Sequence, residues 1–142
     1  MRPLFIAALV LPLMSMVAGA QSDPIKERRA LMKGIGEQTD IGAAMMKGEA
    51  PFDAAKAALI FKTFAANGAQ VGTLFPEGSD KGDTKALPAV WTDRAGFDTA
   101  LAAFNKAVAE GTPKIGTADG FKAAFTAVAQ TCRSCHTNFR AR

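Results

Sequence analysis

Four stretches of the chain place apolar residues at intervals of three and four, the spacing of one buried face of an α-helix. The first stretch runs from Pro24 to Gly48 and Pro51, and Ser22 or Asp23 can cap its start. Its inward positions are Ile25, Arg28, Met32, Ile35, Thr39, Gly42 and Met46. Glycines inside this stretch indicate close packing against another helix or a flat ligand; they are Gly34, Gly36 and Gly42.

The next three stretches predict three further helices. The second helix begins near Asp53, and the third begins near Asp93. Gly111 and Pro113 end the third helix, and Thr117 can cap the fourth. The inward positions are Ala57, Ile60, Phe61, Phe64, Gly68 and Val71 in the second helix, Phe97, Leu101, Phe104 and Val108 in the third, and Phe121, Phe125, Val128, Cys132, Cys135 and Phe139 in the fourth.

About twenty irregular residues, GTLFPEGSDKGDTKALPAVW, separate the second helix from the third. A loop of this length inside a compact domain usually has a function of its own. Four amphipathic helices of about 17 to 25 residues predict an all-α fold, an antiparallel up-down-up-down four-helix bundle. Cys132 and Cys135 continue the apolar face of the last helix, so both side chains are expected to face the core near its C-terminal end.

The first twenty residues have the composition of a secretory signal peptide. Arg2 supplies the positive start, an apolar run extends from Leu4 to Val17, and Ala18-Gly19-Ala20 resembles a cleavage site. A transmembrane helix is the alternative, but it needs about twenty apolar residues and this run is shorter. We therefore expect residues 1–20 to be removed and residues 21–142 to form one exported domain. Export in a bacterium would place this domain in the periplasm.

Charge and hydropathy narrow the classes of partner. The whole chain carries 17 basic and 13 acidic residues, and removal of Arg2 leaves a net charge of +3 in the mature part. The basic residues are scattered, so no patch that would follow a phosphate backbone is predicted and nucleic-acid binding is not expected. The mature part has no second long apolar segment, so no membrane anchor is expected after cleavage.

All the cysteine and histidine of the chain lies in the segment CRSCH at positions 132–136. Cys-x-x-Cys-His is the attachment signature of c-type haem. The two thiols lie about one helical turn apart and can add to the two vinyl groups of haem, while the adjacent imidazole can bind the iron. The segment therefore predicts one covalent haem c, bound through Cys132 and Cys135, with His136 as an axial ligand.

Three other uses of these residues are less consistent with the sequence. A disulfide between Cys132 and Cys135 would close a very short loop, which stabilises a fold little and leaves His136 unexplained. A structural zinc site needs four ligands, and three are present. A thioredoxin-like pair would be expected beside a βαβ unit rather than near the end of a last helix.

The bundle topology brings residues of the first helix to the same end as His136. His136 lies six residues from the C-terminus and Met32 lies eight residues beyond Pro24, so both are at similar heights. Met32 could therefore be a second axial ligand, whereas Met45 and Met46 lie about 20 Å further along. The alternative is that Met32 is an ordinary core methionine.

Three arginines are candidates for contact with the haem. Arg28 lies on the inward face one turn before Met32, where a guanidinium needs an anion such as a haem propionate. Arg29 is adjacent and could help, and either could instead be a solvated surface charge. Arg140, one turn after His136, could shield the imidazole, tune its basicity or contact a propionate.

The sequence resembles the class II c-type cytochromes, which include cytochrome c-prime and the low-spin cytochromes of the c-556 type. The similarity covers the whole mature chain and lies in RRALMK near its start, GDTKALPAVW in the loop and CRSCHTNFR at the end. It implies a periplasmic haem bundle that is often a homodimer through its first two helices. It also implies haem contacts from Arg28, Arg29, Asp83, Thr84, Trp91 and Arg140.

The resemblance leaves two functions open. In cytochrome c-prime the sixth position of the iron is empty and small gases such as nitric oxide or carbon monoxide bind, as in a scavenger or sensor. In the c-556 type a methionine closes that position and the protein carries single electrons between redox partners. An enzyme of the peroxidase type is not predicted, because no second histidine can act as a distal acid or base. The identity of Met32 does not decide between the two.

Overall fold

The computed structural model describes residues 23–142, which fold mainly into helices. The elements are α1 (Pro24–Lys47), α2 (Ala54–Val71), α3 (Ala89–Thr92), α4 (Arg94–Gly111) and α5 (Ala118–Phe139), with single 3-10 turns at Gly72–Leu74 and Thr112–Lys114. The four long helices form the predicted four-helix bundle, and α3 is a short addition before α4. The predicted signal peptide, residues 1–20, lies outside the described residues.

The helices begin and end where local capping chemistry predicts. The Asp23 carboxylate accepts hydrogen bonds from the backbone N–H groups of Ile25 and Lys26 at 2.9 and 3.1 Å, and Asp53 caps α2 in the same way. Gly48 ends α1 in the left-handed conformation, with φ of 74°, which favours glycine because it has no Cβ. These caps fix the ends of α1 and the start of α2 at the predicted residues.

The core lies between the four long helices. Every predicted inward position of α2 is buried, and the buried residues of the main core are Ile35, Ala57, Ile60, Phe61, Phe64, Phe104, Val108, Ile115, Phe121, Ala124, Phe125 and Val128. A second small cluster joins Val90, Phe97 and Phe139 near the C-terminal end of α5. The predicted inward residues Cys132 and Cys135 are partly buried, each against one of these two clusters.

The glycines predicted to allow close packing have different surroundings. A Cβ on Gly42 would lie 2.3 Å from the ring of Phe125, so this glycine allows α1 to approach α5 closely. A Cβ on Gly34 would lie 3.1 Å from the side-chain nitrogen of Asn67 in α2. A Cβ on Gly36 would meet nothing within 4 Å. Helix packing therefore accounts for Gly42 and Gly34, and Gly36 borders open space.

The segment predicted to be irregular between α2 and α4 has more structure than its sequence indicates. It begins with a 3-10 turn and ends with α3, in which Val90 is buried against the second cluster. Its middle pairs with the C-terminal tail: Ala86 and Arg140 form an isolated antiparallel bridge, and Leu87 N–H donates to Phe139 C=O at 3.0 Å. The loop is thereby attached to the end of α5.

Candidate haem-binding site

One cavity of about 820 Å³ lies among the four long helices, α1, α2, α4 and α5, and the loop between α2 and α3. Its walls are mostly apolar, and the apolar lining includes Ile35, Phe64, Val71, Phe75, Val90, Phe97, Leu101, Phe125 and Val128. Its volume lies within the range of cofactor pockets, and an apolar wall with few polar groups is typical of them. The cavity is large enough and apolar enough for a flat aromatic ligand.

The three residues of the attachment signature line this cavity together. Cys132, Cys135 and His136 occupy the last two turns of α5, and the two cysteines are not joined in a disulfide. Positions three and four apart on a helix share a face, so the two thiols and the imidazole are presented to the same space. Phe139 holds this end of α5 in place, because its buried ring packs edge-on against Phe97 with centroids 5.5 Å apart.

Burial shifts the protonation of all three groups towards their neutral forms. Burial raises the pKa of the Cys135 thiol, and burial also raises that of Cys132, assisted by the nearby Cys135 and opposed by a backbone hydrogen bond. Burial, and secondarily the charge of Arg140, lower the pKa of His136. Neutral imidazole, the form that binds a metal, is therefore favoured at His136. The raised thiol pKa values keep both cysteines in the protonated form.

Arg28 is held by the loop rather than exposed to solvent. It is only 4% exposed, and its NH1 group donates to Leu74 C=O at 3.0 Å and to Ser79 Oγ at 3.1 Å. Its NH2 group donates to Ser79 C=O and Thr84 Oγ1, both at 2.7 Å. These bonds use four of the five guanidinium N–H donors, which leaves Nε–H for any further acceptor.

Two aromatic rings complete the surroundings of Arg28. Its guanidinium lies 4.7 Å from the centroid of the Phe75 ring and 5.9 Å from that of Trp91. Trp91 in turn donates its indole N–H to Pro76 C=O at 3.1 Å. Burial lowers the pKa of Arg28, against a smaller raising effect of Asp23. An arginine remains charged at neutral pH in spite of this shift, so Arg28 is a buried cation stabilised by dipoles and π-faces.

The remaining predicted contact residues border the mouth of the cavity, with one exception. Arg29 forms an exposed ion pair with Asp83, and Thr84 lines the cavity next to Arg28. Arg140 lines the cavity and follows the last turn of α5. Trp91 does not line the cavity and lies instead behind Arg28. The structure thus brings together nine of the ten predicted site residues around one cavity, and places Trp91 in the layer behind them.

Met32 lies on α1 at the cavity, on the same element as Arg28. It is 38% exposed, more than expected for a core methionine, and it lines the cavity together with His136. Met45 and Met46 are instead partly buried against the main core and are not among the lining residues. Of the three methionines on α1, Met32 is therefore the one that reaches the cavity.

Two groups of residues at the site were not identified from the sequence. The first comprises the acceptors of Arg28, namely Leu74 C=O and Ser79, because loop residues have no periodicity that reveals burial. The need of a buried guanidinium for acceptors is the one signal that could have directed attention to this loop. The second comprises cations at the mouth of the cavity, Lys33, Lys85 and Arg133, which read in the sequence as ordinary surface charges.

The residues present fit a c-type haem. Two thiols and an imidazole open into one cavity, the walls are apolar, and Gly36 leaves open space at the α1 wall where a Cβ would otherwise stand. Cations at the mouth complement the carboxylates that a haem carries on one edge. Two sulfur groups and one nitrogen in this arrangement suit covalent attachment with axial ligation better than a closed four-ligand metal site.

Curated proteins of bacterial origin are similar to this chain over nearly its full length. A cytochrome c' of Rhodopseudomonas palustris is 41% identical over 138 residues, which is 96% of this chain and 94% of the relative. A cytochrome c-556 of the same organism is 37% identical over 141 residues, with coverage of 95% and 94%. Both branches of the predicted family are therefore represented among the relatives.

Solved structures have the same fold. Cytochrome c' from Rhodopseudomonas palustris matches with a TM-score of 0.82 and 39% identity, covering 86% of this chain and 98% of that structure. A mutant cytochrome c prime from Alcaligenes xylosoxidans, solved as its nitric oxide complex, matches with a TM-score of 0.77 and 26% identity, covering 84% of this chain and 94% of that structure. Within residues 23–142, no helix is long and apolar enough to cross a membrane.

The match to a family completes the assignment. Residues 23–140 match the family described as Cytochrome C', a span that includes the cavity-lining part of α1, the whole loop and the attachment segment of α5. Family membership implies haem c binding, which agrees with the chemistry of the cavity. The chain belongs to the class II c-type cytochromes, the family of cytochrome c' and cytochrome c-556.

Proposed function

We propose that this protein is a periplasmic single-electron carrier with one haem c. In this proposal residues 1–20 are removed on export and residues 21–142 form the haem domain. Cys132 and Cys135 form the two thioether bonds and His136 is an axial ligand. The observation that carries the proposal is that these three side chains open into one apolar cavity, which Met32 also lines.

The haem would supply a one-electron couple between ferrous and ferric iron, and the chain would set the conditions for it. The apolar walls formed by Phe64, Phe125 and Val128 exclude water from the cavity. The last turns of α5 orient the imidazole of His136, because Phe139 and the tail pairing fix the end of that helix. Arg28 places a fixed positive charge at the cavity, which favours the state of lower positive charge at a nearby redox centre.

Met32 is the proposed second axial ligand. Ligation by methionine and histidine raises the potential of a haem and closes the site that a gas would occupy. The position of Met32 at the cavity supports this role, since its side chain is not packed into the core. A thioether that completes the coordination would make the protein an electron carrier of the c-556 type.

A gas-binding protein is the second candidate function. The cavity beside Met32 is apolar, as suits a small diatomic gas, and the related Alcaligenes xylosoxidans protein was solved as a nitric oxide complex. In that case Met32 would pack beside the ring, and the protein would act as a scavenger or sensor of nitric oxide or carbon monoxide. Neither electron transfer nor gas binding is an enzymatic reaction. The chain has a single histidine, so it has no second imidazole for acid–base catalysis.

The spin state of the holoprotein separates these two functions. If Met32 is a ligand, the parent protein should be low-spin and slow to bind carbon monoxide, and Met32→Ala should be high-spin and bind the gas readily. Electron paramagnetic resonance and the optical response to carbon monoxide measure both properties. Met45→Ala is the matched control, because Met45 lies on the same helix but packs against the core. A parent that is already high-spin and binds the gas would favour the gas-binding function.

A homodimer through α1 and α2 is part of the proposal. Ile41 on α1 and Leu59 on α2 are large apolar residues that are 40% and 53% exposed. Burial of such side chains against a second copy would remove apolar surface from water. Sedimentation velocity of the holoprotein is the corresponding measurement.

A further inference from the structure

The positive charge of the protein is concentrated at the cavity. The lining contains six basic residues, Arg28 and the five residues Arg29, Lys33, Lys85, Arg133 and Arg140, which we call the basic rim. Only two acidic residues, Asp40 and Asp83, line the same cavity. The rest of residues 23–142 contains ten basic and eleven acidic residues, and is therefore close to neutral. The excess of positive charge thus lies almost entirely where the haem edge would be exposed.

Three of the five residues of the basic rim are not neutralised by acidic side chains. Arg29 pairs with Asp83, and Lys33 pairs with Glu37 at 3.4 Å. Lys85 donates to the backbone oxygen of Arg142 at 3.3 Å, and the guanidinium of Arg142 adds a further positive charge there. Arg133 and Arg140 are exposed and have no Asp or Glu carboxylate within 4.0 Å among residues 23–142. Two haem propionates would offset two positive charges at most. A surplus of positive charge at the mouth would therefore remain when the cofactor is bound.

We propose that the basic rim is the docking surface for a redox protein with an acidic patch around its own electron-transfer site. The inference rests on the proposed electron-carrier function and adds the chemistry of the partner. Opposite charges at two such sites raise the rate of encounter and align the exposed edges of the cofactors. Because the complex is held at its margin by exposed charges, it can form and separate quickly, as electron transfer requires.

The pattern of charge favours a protein over an anionic membrane surface. Membrane attachment by charge uses clusters of about four to eight adjacent basic residues. In the rim, acidic side chains alternate with basic ones: Asp83 lies against Arg29, and Glu37 lies one turn from Lys33. The rim also surrounds a concave mouth rather than a flat face. Alternating positive and negative side chains favour one orientation of a bound partner. A folded protein can present the complementary charges in that orientation, whereas a fluid layer of lipid headgroups has no fixed pattern of charge.

Oxidation of the reduced holoprotein by ferricyanide tests the charge at the site of electron transfer. One electron passes from ferrous iron to the ferricyanide trianion, which gives ferric iron and ferrocyanide. No covalent bond forms or breaks in this step. The expected rate falls as ionic strength is raised from about 10 to about 200 mM, because salt screens the attraction. With tris(1,10-phenanthroline)cobalt(III), a cationic oxidant, the rate of oxidation should rise with ionic strength.

Substitutions at Lys85 test whether the rim produces this effect. At about 10 mM ionic strength, Lys85→Glu should slow oxidation by ferricyanide about threefold to tenfold, and Lys85→Gln should give an intermediate rate. Lys122→Glu and Lys56→Glu are the matched controls, since both lysines are exposed and lie at the opposite end of the bundle. A rate independent of ionic strength, or an equal slowing in the controls, would overturn the proposal.

Two binding measurements do not depend on electron transfer. Titration of the ¹⁵N-labelled holoprotein with poly-L-glutamate should shift amide signals around Lys33, Lys85 and Arg140 and leave those near Lys56 unchanged. Sedimentation with phosphatidylserine vesicles, compared with phosphatidylcholine vesicles, should show little binding. Strong sedimentation with phosphatidylserine that Lys85→Glu abolishes would assign the rim to a membrane and contradict the proposal. A gas-binding protein would still show the poly-L-glutamate shifts, so failure of the carrier function is recognised separately through Met32→Ala.

Discussion

Replacement of Arg28 by alanine should lower the free energy of unfolding of the holoprotein by about 3 to 5 kcal/mol. The substitution removes four hydrogen bonds at once, and it leaves the buried carbonyl of Ser79 and the partly buried carbonyl of Leu74 without this donor. An unsatisfied buried polar group costs about 1–3 kcal/mol. The cation–π contacts with Phe75 and Trp91 are lost as well. Chemical denaturation followed by circular dichroism measures the change.

The neighbouring arginine provides the control. Arg29→Ala removes an exposed ion pair with Asp83, which should cost less than about 1 kcal/mol. Arg28→Lys keeps the charge but cannot reproduce the planar fork that reaches four acceptors, so it should recover little of the loss. The redox potential should also shift in Arg28→Ala, because a positive charge beside the haem is removed. Equal stabilities of Arg28→Ala and Arg29→Ala would mean that the loop does not depend on Arg28.

Simultaneous replacement of Cys132 and Cys135 by alanine should abolish covalent haem attachment. Acid–acetone extraction should remove all haem from the double variant and none from the parent protein. Either single substitution should leave one thioether and a less stable holoprotein, since each thiol forms a separate link. Ser134→Ala lies between the two cysteines and should retain its haem as the parent does. Haem retained by the double variant after extraction would show that other groups hold the cofactor.

The helices could be predicted because their signals are local. The apolar residues of the inward face of α2, from Ala57 to Val71, recur at helical spacing. Asp53 caps α2, which begins at the next residue of the chain. The three residues of the attachment signature were placed correctly at the end of α5 because five residues contain the whole motif. Periodicity, caps and a contiguous motif each depend on neighbours in the chain, so a single sequence contains them.

The loop and its contacts could not be predicted in this way. Ser79 is buried because it meets Arg28, which is 51 residues away in the chain. The pairing of Ala86 with Arg140 joins two irregular segments, and neither has a pattern that indicates a partner. The exposure of Met32 on an otherwise inward face also depends on the cavity, which forms only when α1 and α5 are packed together. Long-range contacts of this kind follow from the fold and have no local signal.

The mass of the denatured mature protein tests the central claim most directly. The addition of a thiol to a vinyl group releases no atom, so the two masses simply add. The account therefore predicts a single species with the mass of residues 21–142 plus one haem, and this mass should persist after acid–acetone extraction. Such a result would establish both the covalent link and removal of residues 1–20. If the extracted protein has the mass of the polypeptide alone and the haem is recovered in the acetone phase, the proposed covalent attachment of haem is contradicted.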